Sequence, residues 1–111
     1  MGRYLAERDW KELRVLHPIA LDRLCKRVLA DIVGAASDTS RGNHERYLAM
    51  CKLINDRDRQ LQDAFDDTRR STAVMQISHI CVIGLVTEDE FARFSDDMRG
   101  VIETLVGRFP Y

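Results

Sequence analysis

Between Arg70 and Glu88 the chain carries no Asp, Glu, Lys or Arg, although 32% of its residues are charged. Within that stretch Val74, Ile77, Ile80, Cys81, Gly84 and Leu85 recur at helical spacing, and Val82 and Ile83 widen the stripe almost to a full circle. A helix apolar all round belongs in the middle of a bundle. A strand over Ile80 to Val86 is the rival, because short apolar runs cannot be sorted by period alone. The exit from the segment favours helix. Gly84 suits the left-handed position just past a helix end, with Leu85 after it as the apolar contact. Thr87, followed by Glu90 three residues later, makes a capping box for the next helix.

The other segments follow the same period. Asp9 with Glu12 reads as the cap of a short helix through Trp10, Leu13 and Leu16, which Pro18 is expected to end. Pro18 then suits the first position of a second helix, whose stripe is Leu21, Leu24, Cys25, Val28, Ile32, Ala35 and Ala36. Asp22–Lys26 and Arg27–Asp31 are four apart and form its expected outer ion pairs. Ser37 to Asn43 is a loop by composition, and Asn43 caps a helix from about His44 to Asp67. Its inward positions are Tyr47, Met50, Cys51, Ile54, Leu61, Ala64 and Phe65. That stripe fails over Asn55 to Gln60, where Asp58 takes an apolar position. A break near Asp67 to Ser71 keeps this helix apart from the central one. After the turn, Phe91, Phe94, Met98, Val101, Ile102 and Leu105 keep helical spacing to the end as one helix, and Ser95-Asp96-Asp97 equally fits a new cap that splits this part into two short helices. Gly107 to Tyr111 is a tail that Pro110 keeps from being helical. The expected fold is all-α: one domain over residues 1–111, a bundle of four to five helices with short antiparallel connections.

The turn Gly84-Leu85-Val86-Thr87, leading into Glu88-Asp89-Glu90, resembles the helical hairpin of the short C-terminal domains called SHOCT. The likeness covers Gly84 to Phe91. It implies hairpin geometry and carries no function.

Charge and composition narrow the function classes. The net charge is −1, and basic residues alternate with acids, so general attraction to nucleic acid or an anionic membrane is not expected. A recognition helix starting at Glu88 would open with three acids facing phosphate. The central run is shorter than the roughly 18 apolar residues of a membrane span and includes Gln76, Ser78 and His79. Arg3, Glu7, Arg8 and Asp9 interrupt any secretion signal at the N-terminus. Cys25, Cys51 and Cys81 make neither a disulfide framework nor a Cys-x-x-Cys pair. These features predict a reduced, cytoplasmic protein without metal or cofactor.

Candidate chemistry is sparse. No nucleophile elbow, phosphate loop or His-Glu-x-x-His motif is present. Asp56-x-Asp58-x-Gln60 starts like a calcium loop, but Leu61 stands where its glycine must be. One polar cluster remains: Arg57, Asp58, Arg69 and Arg70, with His79 on the only polar line of the central helix. An Asp beside arginines could hold an anion or small polar ligand, because guanidinium presents a rigid fork of donors; a structural ion-pair network explains the same residues. The sequence therefore points to a protein-interaction or regulatory module acting as a homodimer rather than to an enzyme. A ligand-binding or enzymatic bundle with a polar pocket around Asp58 and Arg70 is the alternative.

Overall fold

The computed structural model describes residues 5–107 and consists of five α-helices, with no strand among the described residues. They are α1 (Glu7–Ala36), α2 (Asn43–Phe65), α3 (Ala73–Val82), α4 (Glu88–Ala92) and α5 (Asp96–Val106). The all-α bundle and its helix count match the sequence pattern. The expected tail falls outside the described residues beyond Gly107.

Helix α1 runs straight through Pro18, contrary to the expected break. Proline removes one backbone donor and costs about 3 kcal/mol in a helix interior. Here Pro18 and Arg14, whose carbonyl loses its partner, are both exposed, so water can satisfy the orphan acceptor. Leu13, Leu16, Ala20 and Leu24 are buried on both sides of the proline. Each buried leucine contributes about 1.5–3 kcal/mol, which outweighs the break.

Asp9 does not cap α1. The helix starts at Glu7 without a side-chain cap, and Asp9 is only 2% exposed. Its carboxylate accepts hydrogen bonds from the backbone N–H and the hydroxyl of Ser95, both at 2.7 Å. Ser95 in turn caps α5 by accepting from the Met98 N–H. The buried negative charge thus sits at the positive end of α5, where the helix dipole favours it.

The stretch from Ser71 to Thr87 behaves at its exit as its pattern predicts. Residues 73–82 are helix rather than strand. Gly84 has φ +74°; its N–H donates to the Cys81 carbonyl and the Leu85 N–H to the Ile80 carbonyl, the two closing bonds of a Schellman turn. The capping box is complete, Thr87 accepting from the Glu90 N–H and Glu90 accepting from the Thr87 N–H. The surroundings of α3 differ from expectation. Ala73, Ile77, Ile80 and Cys81 are buried against α1, α2 and α5, whereas Met75, His79 and Val82 face outward. The helix is covered on one side, not on all.

Two arginines of α1 receive the turn. Arg23 pairs with Glu90 through both guanidinium nitrogens, at 2.5 and 2.9 Å, and donates to the Leu85 carbonyl at 2.8 Å. Arg27 donates to the carbonyls of Ile83 and Gly84 at 2.5 and 2.6 Å. The expected pairs Asp22–Lys26 and Arg27–Asp31 are therefore not made: Arg27 is used by the turn, and Asp31 pairs with Arg57 of α2 at 2.8 Å.

Helices α1 and α2 form a long hairpin. It closes at a tip where Asp38 accepts from the Ser40 N–H and hydroxyl and Arg46 reaches back to the Ala36 carbonyl. Asn43 opens α2 as its first residue, after an N-cap at Gly42. The helix ends at Phe65, and Asp67 takes a left-handed φ of 58° in the expected break.

Removing the Asp9 carboxylate leaves the Ser95 N–H without its charged acceptor. Asp9→Ala is expected to lower the unfolding free energy by about 2 kcal/mol, read from urea unfolding followed by helical circular dichroism. Glu90 makes a second, pH-dependent contribution. The Arg23 guanidinium, aided by the Thr87 N–H, holds its carboxyl below the ordinary 4.5. The folded state thus binds the proton less readily than the unfolded chain, so this contribution is complete above the ordinary carboxylate value and fades as pH falls through the lowered one. Glu90→Gln is expected to flatten the acid limb of stability against pH; an unchanged limb refutes the pairing.

Candidate functional site

The residues singled out by sequence are not gathered into one place. Arg57 lies between α1 and α2 and is used by Asp31. Asp58, its neighbour, is exposed on another side of α2. Arg69 pairs with Asp67 at 2.8 Å. Arg70 pairs with Glu7 at 2.8 Å and lies over the Trp10 ring at 5.2 Å from its centre. The cross-hairpin contacts put Asp58 level with the middle of α1, some 16 residues from Trp10, or roughly 24 Å along the helix at 1.5 Å per residue. Asp58 and Arg70 do not share a pocket.

His79 borders two shallow grooves. One runs between α2 and α3 and is lined by Asp56, Arg59, Gln60 and Asp63 with Ile83. The other is apolar, between α3 and α5, and is lined by Met75, Val82, Leu105 and Val106. No hydrogen-bond partner orients His79 as a base among the described residues, and no cluster of metal-ligating side chains is found among them. Among the described residues no helix is long and apolar enough to cross a membrane.

A different feature stands out once burial is followed along the chain. The core is built from Leu5 to Leu24 and from Ala64 to Ile102. From Cys25 to Asp63 no residue is buried. This half of the hairpin meets the core only at its near end, through half-buried Val28 and Leu61, and extends beyond them as an arm; the molecule measures 52 × 24 × 22 Å with a radius of gyration of 16.7 Å, against about 13 Å for a compact chain of this length.

The arm is not polar. Leu29 is 62% exposed, Val33 64%, Tyr47 63%, Leu48 50% and Ile54 41%. Tyr47 and Ile54 are the two inward assignments on α2 that the structure reverses; Ala36 on α1 and Leu105 on α5 are likewise exposed rather than inward. The α1–α2 seam instead runs through Val28 and Ile32 on one side and Ala49, Met50, Leu53 and Arg57 on the other, all half-buried. Two stripes on one helix compete for the same period, and only the partner helix decides which is covered. The exposed large apolar residues of both helices were the signal for this surface, since a stripe wider than one neighbour can cover leaves part of itself in water.

The cysteines divide along the same boundary. Burial pushes the Cys81 thiol up to about 12, whereas Cys25 and Cys51 are half-buried on the arm. In native protein at neutral pH, iodoacetamide is expected to alkylate Cys25 and to reach Cys81 only after denaturant is added. Mass spectrometry of the time course checks this, and early labelling of Cys81 contradicts the packing of α3. No known protein family, curated protein or solved structure matches the chain.

Proposed function

We propose that this chain is a protein-interaction module that works as a homodimer through its helical arm. The observation that carries this reading is the arm itself: no residue from Cys25 to Asp63 is buried, yet five large apolar side chains stand there exposed. Isolated helices depend on packing of an apolar face for most of their stability. A two-helix arm covers only the seam between its helices, and a second hairpin laid on it completes a four-helix bundle, in which every helix has two neighbours. Acidic and basic side chains occur on the arm in near-equal number, so two copies do not repel one another.

The alternative of a ligand pocket around Asp58 and Arg70 has no such support, since the two residues lie at different levels of the hairpin and Arg70 is held by Glu7 and Trp10.

Light scattering on the eluting protein is expected to give twice the 12.8 kDa of the chain. Tyr47→Asp and Val33→Asp change exposed positions and are expected to leave monomer stability within about 0.5 kcal/mol while shifting the mass to that of one chain. A wild-type chain that remains monomeric at the highest soluble concentration rules the reading out.

A further inference from the structure

The arm carries two unpaired charges in places where a helix interface has apolar residues, and their positions match. On α2, Tyr47, Cys51, Ile54 and Asp58 follow at alternating steps of four and three. On α1, Lys26, Leu29 and Val33 do so at three and four. This is the spacing of a seam between packed helices, in which a single polar residue fixes register. The contacts His17–Phe65, Asp31–Arg57 and Ala36–Arg46 set the ladder of the hairpin. Along that ladder Lys26 stands level with Asp58, within about a turn. Both side chains are exposed, and neither has an ion-pair partner among the described residues.

The two stripes also open on one face. Each is rotated from its inward seam by roughly a third of a turn in the same helical sense, at about 100° per residue. Because α1 and α2 run in opposite directions, equal rotations bring both stripes to the same side of the hairpin. Helix α3 lies over the Asp56, Arg59 and Asp63 side of α2, so this face is the one turned away from α3.

Resting on the reading of the arm as a self-association surface, we infer that the partner is a second copy related by a two-fold axis parallel to the arm, and that Lys26 of each chain pairs with Asp58 of the partner subunit. In this arrangement α1 of one copy faces α2 of the other at the same level, and the pair is formed twice, as an isologous interface requires. The two cores then lie at the same end of the dimer. A two-fold axis crossing the arm at this level sets Lys26 against Lys26 and Asp58 against Asp58, which like-charge repulsion opposes.

The test uses the charge reversals Lys26→Glu and Asp58→Lys, each alone, combined in one chain, and mixed as two chains, with mass followed by sedimentation and folding by circular dichroism. Each single variant is expected to keep its helix content and to weaken the dimer by about a hundredfold or more, because it opposes two like charges twice. Mixing the two single variants restores both pairs and is expected to give a heterodimer of wild-type affinity, as is the double variant with itself. Single variants that dimerise as tightly as wild type overturn the pairing while leaving the dimer standing. Rescue by the double variant without rescue by the mixture also overturns it, because the pair then lies within one chain. A monomeric wild type removes the inference together with the reading it rests on.

Discussion

Two arginines one turn apart on α1 hold the carbonyl end of α3 and with it the turn that leads into α4. A helix ends with carbonyls that have no partner in the helix. The Schellman turn at Gly84 satisfies Ile80 and Cys81, while Ile83, Gly84 and Leu85 receive Arg27 and Arg23 instead. Arg23 also neutralises Glu90, the residue that completes the cap of α4. One guanidinium thus joins the stop of one helix to the start of the next. A lysine presents a point charge without the fork and could not reach the backbone and both carboxylate oxygens together. With the turn fixed on α1, Leu85, Val86 and Phe91 are carried into the core.

What the sequence disclosed follows from range. The stop at Gly84, the box from Thr87 to Glu90 and the cap at Ser95 are completed by atoms within a few residues of each other; the first two stand as their spacing predicts, and at Ser95 the capped split is the alternative that forms. Asp9 shares the spacing of a cap with Glu12, but its partner is Ser95, 86 residues away in sequence. Pro18 has the local signature of a helix start, and burial on either side overrides it. Arg27 could pair with Asp31 along the helix, yet the turn carbonyls offer it two acceptors at once. In each case the local rule was sound and a tertiary partner won.

The candidate site was legible in the same partial way. The gap from Asn55 to Gln60 was visible as a failure of the apolar stripe, but its meaning depended on which way each residue turned. Arg57 and Asp58 are adjacent in sequence and therefore about 100° apart around the helix. The first turns toward α1 and pairs with Asp31; the second turns away from every other helix. What reads as one polar patch in sequence is two unrelated features, one holding the hairpin together and one facing out of it.

In the proposed dimer, that separation gives a role to an aspartate at a position where an apolar residue would pack better. Within a covered interface a charge pair contributes little net stability, since the cost of removing two ions from water is close to what their attraction returns. Its effect lies in exclusion. An arm lined only with Leu29, Val33, Tyr47 and Ile54 could slide by a turn, or reverse, at small cost, because apolar contacts are not directional. A single Lys and a single Asp at one level make most of those alternatives unfavourable while leaving one untouched. In the proposed dimer, the polar gap is the part of the arm that chooses among arrangements, and the apolar residues around it are the part that holds the two copies together.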